Sequence, residues 1–386
     1  MSGGLVSTGG SNGARANEMR ANIVIVGAGP AGLGMARVLA DLGVPDVRIV
    51  ERERIGASFR AWPKDMRFIS PSFPSNAFGL TDLNAISFDS SPAFALRSEH
   101  PSGSEYATYL EGAADAFGLT VNSGVDVHGL EPDGDDLMLH TSDGPIYASF
   151  VIWAAGQFQY PSDGDIAGAD LGVHSSLTHR WSDHPGEDVI VIGGYESGVD
   201  AAIGLAAAGK SVTLLSRSAN WNVDSADPSV ALSPYTRQRL SAALQNNSIE
   251  LTSDADVLGL ERIGEKIRVL TSTGHSFTTS SPPILATGFT GSTTLIAEWF
   301  AFDGQGSPRL TLEDESTELP GLFLVGPEVK HEQHLFCFIY KFRQRFAVVA
   351  QAIAGRMGLD TTGLQVYRMN NMLLDDVSCC DGDCVC

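Results

Sequence analysis

Thiols are the residues of this chain with the most obvious redox chemistry, and their placement is uneven. Of five cysteines, four lie in the C-terminal sequence CCDGDCVC, as Cys379, Cys380, Cys384 and Cys386. Thiolates in such a hydrophilic segment exchange with disulfides and bind soft metal ions such as copper(I) or zinc. The spacing is poor for a structural zinc site, where two or more residues usually separate paired ligands. We therefore interpret the tail as redox-active or metal-handling in preference to a structural metal site, and we predict no resident metal.

The fifth cysteine, Cys337, lies in the sequence HEQHLFCF between two phenylalanines. It is a candidate catalytic thiol if the fold places it beside a cofactor, and a small buried hydrophobe otherwise. His331 and His334 in the same sequence leave a similar choice open. They either contact a cofactor or substrate or are satisfied, partly buried side chains.

A glycine-rich motif near the N-terminus has the chemistry of a dinucleotide site. It follows the apolar run 22–26, precedes an alanine- and leucine-rich helical pattern, and reads Gly27-Ala28-Gly29-Pro30-Ala31-Gly32. In such a turn the first glycine permits a tight bend, the second lets the backbone approach a pyrophosphate, and the third allows close helix–strand packing. Glu51 ends the next apolar run, where an acid accepts hydrogen bonds from an adenosine ribose. Strand, motif, helix, strand and acid in this order predict a dinucleotide site.

A second unit of the same kind begins at the apolar run 188–192. Its turn reads Gly193-Gly194-Tyr195-Glu196-Ser197-Gly198, so Tyr195 stands where the close-approach glycine is expected. The next strand ends in Ser216-Arg217 instead of an acid, which is the substitution expected where a 2′-phosphate is bound. We predict that NADPH binds here, through this turn, Ser216 and Arg217. The alternative is a degenerate unit that only packs.

The two units predict the architecture of the chain. A repeat of βαβ units is typical of an α/β fold with parallel sheets. We predict two Rossmann-like dinucleotide-binding domains, the first formed by residues 21–160 and 286–357 and the second inserted over residues 161–285. Residues 1–20 are expected to be a flexible extension, and residues 358–386 a cysteine-rich tail.

Composition excludes several classes of function. A net charge of -21 argues against nucleic acid and anionic membranes as partners, because binding to phosphates needs clustered Lys and Arg. No apolar stretch is long enough to span a membrane, and the first residues lack the apolar core of a signal peptide. We therefore expect a cytoplasmic protein with no membrane partner.

The chain resembles the pyridine nucleotide-disulfide oxidoreductase superfamily of two-domain flavoproteins, which includes thioredoxin reductases, bacillithiol disulfide reductases and flavin-containing monooxygenases. The resemblance covers about residues 22–357. It rests on GAGPAG and on three strands that end at Gly156, Gly288 and Gly326. It implies that FAD occupies the first unit, with these three glycines near it, and that NADPH occupies the inserted domain.

The resemblance leaves the branch of the superfamily open. The chain lacks the Cys-x-x-Cys that thioredoxin reductases carry in the nicotinamide domain and the Cys-x4-Cys that glutathione reductases carry beside the first helix. Residues 56–73 and 100–110 are more similar to monooxygenase and bacillithiol-reductase relatives. In the family an acid usually follows the last strand and contacts the flavin ribityl chain, whereas Pro327 and Glu328 follow Gly326 here.

The vicinal pair in the tail resembles the C-terminus of mercuric reductase, which hands a soft metal to its active site. From Met357 to Cys379 there are 22 residues, enough to span about 70 Å when extended. We therefore expect a mobile arm that reaches its own flavin, or a neighbour's in a homodimer.

These features together predict an FAD-dependent oxidoreductase. NADPH reduces FAD, and the electrons then pass through a tail disulfide to a small-molecule or protein disulfide, such as that of a small redox protein, or to a thiol-bound metal. Three alternatives remain. One is a monooxygenase that uses NADPH and oxygen on a small-molecule substrate. Another is a dithiol oxidase, if Tyr195 blocks the nicotinamide. The third is a non-catalytic flavin-bound sensor or metal store.

Overall fold

The computed structural model describes residues 19–73, 81–225, 227 and 229–377. Within these ranges the chain forms two α/β domains, and the second is inserted into the first. The predicted fold class is therefore confirmed. The four tail cysteines lie outside the described residues, as does most of the N-terminal extension.

The first domain begins with six strands of one sheet, in the order β3-β2-β1-β6-β5-β4. β1, β2, β3 and β6 run parallel, and β4, β5 and β6 form an antiparallel meander whose two turns contain Asp133-Gly134 and Asp143-Gly144. The strands are β1 Met19–Val26, β2 Val47–Glu51, β3 Val121–Ser123, β4 Val127–Asp133, β5 Asp136–Thr141 and β6 Ile146–Trp153.

Four helices connect these strands: α1 Pro30–Asp41, α2 Ala57–Arg60, α3 Pro92–Leu96 and α4 Gly103–Ala116. α1 begins at a proline, whose fixed φ and missing N–H suit the first helical position. α4 begins at Gly103 because Ser102 and Glu105 form a capping box there.

The second domain has a parallel sheet in the order β10-β9-β8-β14-β7 and an antiparallel meander, β11-β12-β13. Helices α5 Glu196–Ala207 and α6 Pro234–Leu244 pack against each other. The strands are β7 Val173–His174, β8 Asp188–Ile192, β9 Ser211–Leu215, β10 Ile249–Thr252, β11 Val257–Ile263, β12 Lys266–Thr271, β13 Ser276–Thr279 and β14 Ile284–Leu285.

The chain then returns to the first domain. β15 Leu322–Leu324 pairs with β6 as the seventh strand, a short hairpin follows, and helix α7 packs on α1. A Cβ on Gly34 would lie 2.3 Å from the Phe346 ring, so the absence of a side chain at this position allows α1 and α7 to pack closely. The remaining elements are β16 Lys330–His331, β17 His334–Leu335, α7 Ile339–Arg356 and α8 Gln365–Met369.

The segment after α7 packs onto the first domain. Leu364, Tyr367 and Met372 are almost fully buried, and the Tyr367 hydroxyl donates to Asp41 Oδ2 at 2.5 Å. Leu374 N–H donates to the Gln344 carbonyl at 3.0 Å. The expectation of a mobile arm starting at Met357 is therefore wrong for residues up to Val377, because most of their apolar side chains are buried or partly buried on the domain.

Among the described residues, no helix is both long and apolar enough to cross a membrane.

Candidate functional site

A cavity of about 700 Å³ lies between the two domains. Gly29, Glu51 and Gly156 border it in the first domain, and Ser175 and Ser197 border it in the second. This volume is within the range of small-molecule and cofactor pockets. The cavity therefore extends from the first glycine turn to the residues that begin the helix of the second dinucleotide unit.

The first glycine turn has the geometry that its sequence predicts. Gly27 has φ 106°, and a Cβ there would lie 2.6 Å from the Ala154 carbonyl oxygen. A Cβ on Gly32 would lie 1.9 Å from the Gly27 carbonyl oxygen, so only glycine lets α1 pack this closely on the turn. A Cβ on Gly29, in contrast, would meet no atom within 4 Å. The open space beside Gly29, at the N-terminus of α1, fits a dinucleotide pyrophosphate.

Glu51 is held at the edge of this turn. Its Oε2 accepts a hydrogen bond from the Ala28 N–H at 2.8 Å, and its Oε1 accepts one from the Glu53 N–H at 2.9 Å. Pro30 and Ala31 border the cavity beside it. The carboxylate thus lies at the cavity border beside the turn, as expected of an acid that accepts hydrogen bonds from an adenosine ribose.

The three strand-end glycines share a backbone conformation. Gly156, Gly288 and Gly326 have φ values of 70°, 84° and 111°, a left-handed conformation that favours glycine. Gly156 borders the cavity. A Cβ on Gly326 would lie 3.4 Å from Ala31 Cβ, and the Gly288 carbonyl lies 3.0 Å from His174 Nε2.

The second glycine turn repeats the geometry of the first. Gly193 has φ 115°, and a Cβ on Gly198 would lie 1.7 Å from the Gly193 carbonyl oxygen. A Cβ on Gly194 would lie 2.4 Å from Ser216 Cβ, so the turn packs against the end of β9. Arg217 follows there and is exposed, which leaves its guanidinium accessible to a 2′-phosphate.

Two side chains at the start of α5 are held by the segment before α6. The Tyr195 hydroxyl donates to the Ala231 carbonyl at 3.0 Å. Glu196 accepts hydrogen bonds from Ser233 N–H at 2.5 Å and from Thr236 Oγ1 at 2.6 Å. Burial raises the pKa of the Glu196 carboxyl. Glu196 borders the cavity, but its two oxygens cap α6.

Cys337 lies on the cavity wall, just before α7. Its Sγ is 3.3 Å from Ser229 Oγ of the second domain, and burial raises the pKa of the thiol. A raised pKa leaves little thiolate at neutral pH. In the described part of the chain Cys337 is the one cysteine, so the structure brings no second sulfur to it there.

A family model described as pyridine nucleotide-disulphide oxidoreductase matches residues 24–326. The chain belongs to the pyridine nucleotide-disulphide oxidoreductase family. Membership confirms the expected flavoprotein oxidoreductase with FAD and NADPH as cofactors.

Individual relatives include reductases and hydroxylases. Bacilliredoxin reductase Bdr of Bacillus subtilis (strain 168) is 24% identical over 238 residues, which cover 61% of this chain and 66% of that protein, just under two thirds of its length. The bacillithiol disulfide reductase Bdr of Staphylococcus aureus has a TM-score of 0.70 at 20% identity, over 88% of this chain and 99% of that one. The ornithine N-hydroxylase of Kutzneria sp. 744 has a TM-score of 0.68 at 16% identity, over 88% and 100%. At these identities the structural likeness establishes the fold.

Glu328 differs in its contacts from the acid that usually follows this strand in pyridine nucleotide-disulphide oxidoreductases. Its carboxylate accepts hydrogen bonds from the N–H and hydroxyl groups of Ser292 and Thr293, at 2.7 to 3.3 Å. Burial raises its pKa. Because these four donors occupy both oxygens, Glu328 holds the segment 292–299 to the strand end instead of facing the cavity, which Pro327 borders.

The two histidines before Cys337 differ in their surroundings. His331 is buried, and its Nε2 lies 2.5 Å from Asp314 Oδ1. Arg345 Nε donates to the other oxygen of Asp314 at 3.0 Å. His331 is thus a satisfied core side chain, the second of the two alternatives. His334 is half-buried in β17.

One wall of the cavity was missed by sequence reasoning. Phe59, Trp62 and Phe68 border the cavity, with ring centroids 5.1 Å apart for Phe59 and Trp62 and 5.0 Å apart for Trp62 and Phe68. The three aromatics all lie in residues 56–73, whose likeness to monooxygenases and bacillithiol reductases was the available signal. This wall makes that part of the cavity apolar.

Proposed function

We propose that this protein is an NADPH-dependent flavoprotein reductase that passes electrons through its C-terminal thiols to a disulfide or a thiol-bound soft metal. The observation that most directly supports this proposal is the position of Cys337. It borders the cavity that fits FAD, and no second cysteine stands beside it in the described residues. A disulfide formed within the chain at this place therefore needs a sulfur from the tail, where the other four cysteines lie.

Chain length supports this assignment. Leu374 is tied to α7, since its N–H donates to the Gln344 carbonyl and its carbonyl accepts from Arg345 Nη1 at 2.6 Å. Gln344 is five residues from the start of α7, about 8 Å along the helix. Residues up to Val377 pack on the first domain, and Cys379 is two residues beyond Val377, so it lies within about 17 Å of Leu374 whatever path the chain takes. Packing of the C-terminal segment thus leaves a short stretch of chain between Leu374 and the tail cysteines, and Leu374 lies near the end of α7 that borders the cavity.

The proposed reaction balances as NADPH, one proton and a disulfide giving NADP⁺ and two thiols. When bound, FAD accepts the hydride and passes two electrons to sulfur. Because burial raises its pKa, Cys337 remains a protonated thiol after reduction. The thiolate that attacks the external disulfide then comes from the tail.

Similarity to the bacilliredoxin and bacillithiol disulfide reductases supports a low-molecular-weight or small-protein disulfide as the substrate. Dimerisation would add a second route for the tail, from one subunit to the cavity of its neighbour.

The test compares the full-length protein with a variant carrying Cys379→Ser and Cys380→Ser. We expect FAD content and anaerobic flavin reduction by NADPH to be unchanged, and NADPH-dependent disulfide or metal-thiolate turnover to be lost. Cys384→Ser with Cys386→Ser is the matched control in the same tail. Full turnover by the first variant would contradict the proposal.

A flavin-dependent monooxygenase is the second candidate, favoured by the apolar wall of Phe59, Trp62 and Phe68 and by the likeness to an ornithine N-hydroxylase. Oxygen consumption that matches NADPH and a small-molecule substrate one to one, in the Cys379 and Cys380 variant, would establish it in place of the reductase.

A further inference from the structure

Tyr195 occupies in the second dinucleotide unit the position that Gly29 has in the first. Each residue is the N-cap of its helix, with φ and ψ of -84° and -172° at Gly29 and -107° and -167° at Tyr195. The preceding turn glycines, Gly27 and Gly193, also have matching φ values of 106° and 115°. The two backbones are therefore equivalent, and the residues differ in the side chain alone.

At Gly29 the space that a side chain would enter is empty and belongs to the cavity. By the same geometry, the Tyr195 side chain leaves the backbone where a pyrophosphate would approach the N-terminus of α5. The phenol is fixed there by its hydrogen bond to the Ala231 carbonyl at 3.0 Å.

The segment that accepts the hydrogen bond from Tyr195 also contacts Cys337. Ser229, two residues before Ala231, lies 3.3 Å from Cys337 Sγ. Lys341 Nζ of α7 donates to Ser229 Oγ at 2.8 Å and to Asp227 Oδ1 at 2.7 Å. Tyr195, segment 229–231 and Cys337 thus form one continuous contact between the domains.

We propose that Tyr195 gates the second dinucleotide site, so that NADPH binds only when the phenol leaves Ala231, and that this movement also frees Cys337 from Ser229. The gate rests on the proposed function in taking NADPH as the hydride donor. A site that is open for only a fraction of the time binds more weakly by that fraction. Tyr195 thereby links occupation of the nicotinamide site to access to the cavity thiol.

The first test measures NADP⁺ binding to the FAD-loaded protein by calorimetry. Tyr195→Gly restores the family residue and should bind about ten-fold more tightly than wild type, which corresponds to about 1.4 kcal/mol. Tyr195→Phe keeps the ring but loses the hydrogen bond to Ala231, so its NADP⁺ affinity should lie between those of wild type and Tyr195→Gly. Flavin content and the thermal midpoint confirm folding, and Tyr195→Ala serves if the glycine variant is unstable. Equal or weaker binding by the folded variants would overturn the gate.

NADP⁺ undergoes no turnover in this assay. The gate therefore fails or stands independently of disulfide reduction.

The second test follows alkylation of Cys337 by iodoacetamide, read out on its own peptide by mass spectrometry. Saturating NADP⁺ should accelerate alkylation in wild type, and Tyr195→Gly should be fast without the nucleotide. If NADP⁺ leaves the wild-type rate unchanged, the link between the nucleotide site and Cys337 is refuted.

Discussion

Replacing Gly29 with valine should abolish flavin retention and leave the apoprotein folded. Gly29 has a negative φ, and a Cβ there meets no protein atom within 4 Å. The folded chain therefore accommodates the side chain, whereas a pyrophosphate at the N-terminus of α1 cannot share the space. The substitution thus separates cofactor binding from folding.

The expected magnitudes follow from these contacts. Glycine is better than an apolar residue at an N-cap by up to about 1 kcal/mol, so the apoprotein midpoint should fall by about 2–4 °C. Two charge-assisted hydrogen bonds to the pyrophosphate are worth about 3 kcal/mol or more together, which weakens FAD binding at least about 100-fold. Gly32→Ala should have its main effect on the stability of the apoprotein and not on FAD binding. Its Cβ would lie 1.9 Å from the Gly27 oxygen, and overpacking costs about 1–3 kcal/mol or more.

The assay combines thermal unfolding of the apoproteins by circular dichroism with FAD titration followed by fluorescence. Gly112→Ala, on an exposed face of α4 with no atom within 4 Å of the added Cβ, is the control: it should leave FAD affinity unchanged and stabilise the apoprotein by up to about 1 kcal/mol, because alanine is the better helix former. FAD affinity of Gly29→Val within three-fold of wild type would refute the assignment of this turn. So would an apoprotein as destabilised as Gly32→Ala.

Three further predictions concern the second domain and the C-terminus. Arg217→Ala should reduce the preference for NADPH over NADH about ten-fold in flavin reduction, by loss of a phosphate contact, and equal wild-type rates with both nucleotides would contradict it. Because burial raises the Cys337 pKa, alkylation of Cys337 should still rise about ten-fold per pH unit up to pH 9, since thiolate is the reactive form; a plateau near pH 8 would refute the raised pKa. Truncation after Val377 should leave the thermal midpoint unchanged. Truncation after Met357 should lower it markedly, because the buried side chains it removes are each worth about 1.5–3 kcal/mol; equal midpoints would show that segment 358–377 does not stabilise the domain.

Much of the fold was predictable because its signals are local. Both βαβ units follow from apolar runs, glycine turns and helical periodicity within about 30 residues. These elements depend on backbone requirements that neighbouring residues satisfy among themselves.

The C-terminal segment shows where such reasoning fails. Residues after Met357 have little periodicity, and the sequence predicted a mobile arm. Tyr367 is nevertheless buried against α1, with its hydroxyl on Asp41. The partner is 326 positions away in sequence, so no window around Tyr367 contains the information.

The sequence by itself determined that this chain has two dinucleotide units, that the second departs from the motif at Tyr195, and that its thiols concentrate at one end. Each of these is a property of residue type and spacing. Only the tertiary structure decided that both oxygens of Glu328 accept hydrogen bonds from Ser292 and Thr293. It also decided that Tyr195 and Cys337 contact the same segment, 229–231, between the domains. The physical reason is that hydrogen-bond partners and burial are set by which surfaces pack together, and packing joins residues that the chain keeps far apart.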